Sequence, residues 1–108
     1  MNISLCKKAD AKELAGLIRR VIKESPYYSV EAKKYESGMY SSTNVASSLQ
    51  DRNAMFLVGK DETGIRGFLH GNYDYGTFWI NWIGVDADSL RAGLAAALLY
   101  HLEAFLMA

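Results

Sequence analysis

Residues 82–99 read Trp82-Ile83-Gly84-Val85-Asp86-Ala87-Asp88-Ser89-Leu90-Arg91-Ala92-Gly93-Leu94-Ala95-Ala96-Ala97-Leu98-Leu99. An apolar strand closes at Val85, a short polar loop follows, and a helix begins that Ser89 is placed to cap. Gly93 falls in the first turns of that helix, beside Ala92, Ala95 and Ala96. A glycine inside a helix costs ~1 kcal/mol relative to alanine, so its presence asks for a reason. One reason is a ligand: small side chains admit close approach to the backbone, and the free N–H groups of a helix start, with the helix dipole, attract an anion. A pyrophosphate-bearing cofactor would be a natural guest. The other reason is packing, because small side chains also let a helix lie close on a sheet. Asp86 and Asp88 weigh against the anion, since they bring negative charge to the same loop.

Working outward, residues 77–85 form a strand with Phe78, Trp79, Ile80, Trp82, Ile83 and Val85 on both faces, the pattern of a central strand covered on two sides. Asp74-Tyr75-Gly76 turns the chain before it. Residues 55–58 are a compact apolar run, Asp61-Glu62-Thr63-Gly64 is a turn signal, and residues 65–72 return, which is a hairpin pattern. At the start of the chain, residues 3–7 alternate as a short strand. Asp10 then stands as an N-cap with Glu13 three residues on, a capping-box-like pair, and Leu14, Leu17, Ile18, Val21 and Ile22 make one apolar stripe. Ser25-Pro26 ends that helix. Residues 27–53 have weak periodicity. A short helix is expected at 42–49 with Val45 and Leu49 inward, and loop elsewhere. After Ser89 the core ridge is Leu90, Leu94, Leu98, Leu102 and Phe105. With Leu99, Leu106 and Met107 the last helix is apolar almost all round, so it is buried broadly or meets a partner. Antiparallel hairpins with helices packed against them make an α+β domain, and residues 1–108 are expected to be a single one.

Bulk properties exclude several classes. Twelve basic residues balance twelve acidic ones, and no basic run marks a nucleic-acid surface. The one cysteine, Cys6, forbids an intrachain disulfide and fits a reducing compartment. No stretch reaches the ~20 apolar residues of a membrane span, so a soluble, cytoplasmic protein is expected. Two histidines and one cysteine, widely spaced, make no metal motif.

The stretch quoted above resembles the acetyl-CoA signature of the GNAT N-acetyltransferases. That signature is a strand ending in Val, then x-Pro-x-x-Arg/Gln-x-x-Gly-x-Gly/Ala and a Leu-rich helix. Val85, Gly93 and Ala95 stand at matching places. Ala87 replaces the usual proline and Leu90 the usual Arg or Gln, with Arg91 one residue later. The opening strand and helix, and the hairpin from Phe56 to Gly71 with its Gly67-Phe68 pair, are similar to the family's in order and spacing. The resemblance implies a GNAT-like fold: a mixed, mostly antiparallel sheet flanked by helices, here lacking the family's C-terminal strands. It implies acetyl-CoA as co-substrate. Ile83, Gly84 and Val85 would offer backbone groups to the pantetheine arm, and Leu90, Arg91, Ala92, Gly93, Leu94, Ala95 and Ala96 would surround the pyrophosphate. The implied chemistry is direct attack of an amine on a thioester, with no covalent enzyme intermediate.

No general base is evident. Asn81 lies on the cofactor strand and at most orients a water. Tyr73, with Asp74 and Tyr75, sits where it could reach an acceptor, although plain strand-face or turn roles compete for all four. Tyr27, Tyr28, Tyr35 and Tyr40 fall in the segment that shapes the family's acceptor pocket. The acceptor amine itself is not specified. A truncated, non-catalytic module for CoA binding or oligomerisation is the alternative reading. Because the sequence stops after the cofactor helix, the strand from Phe78 to Val85 would become an exposed apolar edge, and a homodimer covering it is expected.

Overall fold

The computed structural model describes residues 2–89 and 93–107. Along the chain come β1 (Asn2–Leu5), a 3-10 turn (Lys8–Asp10), α1 (Ala11–Glu24), α2 (Val30–Met39) and α3 (Ser42–Ser48). There follow β2 (Ala54–Asp61), β3 (Gly64–Asp74), β4 (Thr77–Val85), a 3-10 turn (Ala87–Ser89) and α4 (Leu94–Leu106). The four strands form one sheet in the order β1-β2-β3-β4, antiparallel at every step.

The sheet is covered on both faces. On one, Leu14, Ile18 and Ile22 of α1 and Val45 of α3 pack against Phe56, Val58 and Phe68. On the other, Leu94, Leu98 and Leu102 of α4 pack against Leu57 and Leu69, with Ile3, Phe78, Ile83 and Val85 at the margin. Alternate residues of β2 and β3 therefore serve opposite cores, which is why both strands read as nearly continuous apolar runs. The start of α4 is seated by two missing side chains. A Cβ at Gly59 would lie 2.5 Å from Leu94, and one at Gly67 2.6 Å.

Several expectations need correction. β4 is an edge of the described sheet, as the exposed-edge expectation has it, and not the central strand that its two-faced apolar pattern suggests; Trp79 and Ile80 are exposed on it. Residues 30–39, expected as loop, form α2. Ala32, Tyr35 and Met39 share a face at helical spacing, but Val30 lies opposite and none of them is buried, so the stripe is short and weak, and it is Ser29 that marks the start by accepting from Ala32 N–H at 3.1 Å. Asp10 does precede α1 but makes no cap to it. Its carboxylate accepts from Lys7 N–H at 3.1 Å and pairs with Lys60 at 2.8 Å. Glu13 likewise reaches across to Ile65 N–H at 2.9 Å. Phe105, placed on the core ridge of α4, is over a third exposed.

The phase of α4 is directly testable. Leu98→Ala empties a fully buried position and should cost about 2–5 kcal/mol in urea unfolding. Leu99→Ala, next to it on the exposed side, should change stability by no more than about 0.5 kcal/mol.

Candidate functional site

β4 carries an irregularity that shapes the site. His70 of β3 pairs with Trp82, but Gly71 pairs with Ile80, so Asn81 has no partner and forms a β-bulge. Before it, Phe78 faces α4. Strict alternation would put Trp82 and Gly84 on that same face. Instead Trp82 packs on the α1 side, a Cβ at Gly84 would strike Phe68, and Ile83 and Val85 face α4.

Past the bulge the strand offers its backbone to the open edge. Asp86 N–H bonds inward to Arg66 O at 2.7 Å. Alternation along an extended strand then turns the N–H and C=O groups of Val85 and Ile83 outward, away from β3. Beside them lies a cavity of about 440 Å³ lined by Val21, Glu24 and Ser25 of the α1 end, by Trp82, Ile83, Gly84 and Val85 of β4, and by Ala87.

Gly93 sits differently from expectation. It is the N-cap residue of α4, not an interior residue, with φ +72°. That left-handed conformation disfavours other residues. Among the described residues, its chain neighbours and its own helix backbone aside, no atom lies within 4 Å of where its Cβ would stand. The first intrahelical bond runs from Ala97 N–H to Gly93 O at 3.0 Å, so Leu94, Ala95 and Ala96 N–H precede the ladder and have no partner within the helix. Gly93, Ala95 and Ala96 are exposed, whereas the Leu94 side chain is buried in the sheet. Ser89 ends the 3-10 turn and is not the cap of α4. Leu90, Arg91 and Ala92, named for the pyrophosphate, lie outside the described residues.

Asp86 does not confront this helix start with a free charge. Its Oδ2 is held by Arg20 at 3.0 Å and Arg66 at 3.2 Å, and its Oδ1 accepts from Asp88 N–H at 3.0 Å. The Asp88 N–H bond chiefly, with help from both guanidinium groups, holds the carboxyl below the usual aspartate range.

Around the bulge, Asn81 donates to Asn72 Oδ1 at 2.8 Å. Tyr73 is exposed and meets Phe78 edge-on, ring centroids 5.0 Å apart. Neither contact holds a group ready for proton transfer. On the α1 side His70 stacks on Phe56 at 4.1 Å, and its Nδ1 is 2.8 Å from the Tyr40 hydroxyl. Burial raises the Tyr40 hydroxyl above the ordinary tyrosine value and lowers His70, so the phenol keeps its proton and the ring it meets is neutral. Cys6 is pushed up to about 11, mostly by burial, and stays a thiol at neutral pH. Among the described residues no cluster of His, Cys, Asp and Glu could hold a metal, and no helix is long and apolar enough to cross a membrane. Sequence reading passed over Val21, Glu24, Ser25, Glu36 and Asn72. Only the fold brings the end of α1 and the polar α2 to Trp82.

No family model matches the sequence, and no curated protein sequence matches it. Solved structures do. The PaiA N-acetyltransferase of Thermoplasma acidophilum, in complex with coenzyme A, matches 99% of this chain and 73% of its own, with a TM-score of 0.82 at 16% identity. Aminoglycoside 6′-acetyltransferase type Ii matches 99% of this chain and 64% of its own, with a TM-score of 0.75 at 18% identity. The ribosomal-protein-alanine N-acetyltransferase of Brucella melitensis biovar Abortus 2308 matches 94% and 68%, with a TM-score of 0.68 at 23% identity. The chain has the GNAT-like α+β fold that these acetyltransferases share. It spans 64–73% of the length of the three.

The half-buried His70 sets a pH dependence. Desolvation lowers His70 from 6.5 to about 4, so the folded state favours the neutral ring. Its contribution is complete above the unfolded value and is lost as pH falls from 6.5 toward 4. The melting temperature should therefore drop between pH 6.5 and 5. His70→Gln, which does not titrate, should be less stable at pH 7 but flatter across that interval.

Proposed function

We propose that this chain is an acetyl-CoA-dependent N-acetyltransferase that passes an acetyl group directly to an amine. One observation carries the reading: the outward backbone of Ile83 and Val85, beside the cavity, runs into the open start of α4 at Gly93. The chemistry of that donor set fits the cofactor. An amide-bearing arm matches the N–H and C=O groups of an unpaired strand edge. A pyrophosphate matches the Leu94, Ala95 and Ala96 N–H groups, which have no partner within the helix. When bound, acetyl-CoA supplies an acetyl thioester. An amine held at the cavity forms the new N–C bond as the C–S bond breaks, and the proton it loses balances the one the sulfur takes up. The chain's own part is to hold both reactants in register and to keep the strand edge dry.

Asn81 and Tyr73 fit a positioning role around the bulge better than proton transfer. This favours a second reading, a non-catalytic CoA-binding or oligomerisation module. The two readings separate on release of free CoA with an amine present, which only the enzyme gives.

The binding claim is tested by thermal melting. Saturating acetyl-CoA, at about 100 times its dissociation constant, adds about 2.7 kcal/mol and should raise the melting temperature by several degrees. No rise at millimolar acetyl-CoA would sink the claim. Gly93→Ala forces a side chain into the left-handed region at roughly 1–2 kcal/mol and adds a methyl to the open helix start. It should lower both the melting temperature and the shift. A lowered temperature with an unchanged shift would make the glycine a backbone device alone.

The chain is further proposed to form a homodimer and to act in the cytoplasm. The bulge divides the β4 edge. The half before Asn81 exposes Trp79, Ile80 and neighbouring Tyr75, an unpaired apolar edge that invites a second copy. The half after it lines the cavity and stays free for the cofactor. Light scattering at micromolar concentration should give about twice the 12.0 kDa of one chain, and Ile80→Lys should return it to the mass of one. A wild-type mass of one chain would overturn the dimer.

A further inference from the structure

The cavity beside β4 shares Trp82 with a second group of side chains. Tyr28, in the link between α1 and α2, lies with its ring 5.4 Å from the Trp82 ring and tilted by 34°. Glu36 of α2 accepts from the Trp82 indole N–H at 3.4 Å. Glu24, at the end of α1, lines the cavity together with Trp82. Trp82 thus has one carboxylate on its indole N–H and shares the cavity with another. Among the described residues neither carboxylate has a lysine or arginine partner within 4.0 Å, and no basic residue lines the cavity. Lys33, one turn before Glu36, spends its ammonium on Lys23 O at 2.8 Å. The wall is an acidic, aromatic surface without a cation of its own.

We propose that this wall binds a protonated aliphatic amine, its ammonium group against the Tyr28 and Trp82 rings and the Glu36 carboxylate, with Glu24 drawing it toward the cavity. Aromatic faces attract a cation through their quadrupole, and a carboxylate beside them adds a charge-assisted hydrogen bond. An uncharged analogue loses the cation–π attraction and keeps only a neutral donor's hydrogen bond to the carboxylate. The identification of this ligand as the acceptor rests on the acetyl-transfer reading above. The cation site itself does not. It places the acceptor class among small alkylamines that bind as ammonium ions, with the nitrogen on the α1 side of β4; the ammonium first gives up a proton to water, and the neutral amine then attacks a thioester held along the strand edge.

The sequence has two tryptophans, so Trp79→Phe leaves Trp82 as the sole tryptophan, whose emission is read with excitation to the red of tyrosine absorption. In that background, without acetyl-CoA and at pH 7, n-butylamine should change the Trp82 emission saturably, and n-butanol should not. Glu36→Gln keeps an oxygen for the indole N–H but removes the charge, and should weaken the response about tenfold. Glu24→Gln should weaken it less, added salt should weaken it, and Glu103→Gln on α4 should leave it unchanged. Melting curves by circular dichroism confirm that each variant is folded. Equal responses to butylamine and butanol, or an undiminished response in Glu36→Gln, would overturn the proposal. Failure of the transfer reading looks different: butylamine would still bind while acetyl-CoA produced no melting shift. A melting shift with acetyl-CoA and no response to butylamine sinks the cation site alone.

Discussion

One extra residue in β4, Asn81, decides which side of the sheet every later residue of that strand faces. Without the bulge, Trp82 would turn toward α4, and Ile83 and Val85 toward α1. With it, Trp82 joins Tyr28 and Glu36 on one face while Ile83 and Val85 complete the α4 core on the other. A second bulge answers it on β3. Gly59 pairs with Gly67 and Lys60 with Ile65, which leaves Arg66 unpaired. The two bulges stand where β3 and β4 meet the site, one turning a strand toward the cavity and the other freeing a guanidinium. Bulges re-aim side chains and end regular pairing, and here both effects serve the same end of the sheet.

Arg66 uses that freedom on Asp86. Together with Arg20 from α1 it closes on a carboxylate whose side chain is 10% exposed, so one acid ties α1, β3 and the loop that leaves β4. A nearly buried carboxylate is costly unless it is paired and hydrogen-bonded, and Asp86 is both. The same contacts settle an apparent conflict of charge. An aspartate just before a proposed phosphate site looks unfavourable on paper, but one already neutralised by two guanidinium groups adds little repulsion. The loop is thereby anchored at its strand end, at the point where it departs for the start of α4.

What the sequence disclosed followed from burial. α1, β2, β3 and the core face of α4 each bury a face, and burial writes itself as a period of 3.6 or as a continuous apolar run, so these were legible. α2 buries no residue and left no such trace. The limits of β4 were legible, but its apolar pattern taken alone reads as a central strand, because an exposed Trp79 and Ile80 look the same on paper as buried ones. Site residues that depend on long-range pairing were hidden for a further reason. Nothing in the spacing of Glu24, Glu36 and Trp82 says that they meet, and a bulge at Asn81 has no mark in a strand that is apolar on both faces.

Gly93 joins the two explanations that its position first suggested. At the level of the backbone it is there for φ +72°, a conformation in which the chain turns out of the loop and into α4. At the level of packing, closeness between helix and sheet is achieved one residue later and from the other side. Leu94 enters the space left by Gly59 and Gly67, so the glycines that admit the helix are in the strands. Because Leu94 takes the buried direction, Gly93, Ala95 and Ala96 are turned to the exposed side, and among the described residues nothing crowds the Gly93 position there. Tight packing on one side of the helix start and bareness on the other are then one arrangement. The anchor that holds α4 to the sheet is also what fixes its unpaired donors at the end of the β4 edge.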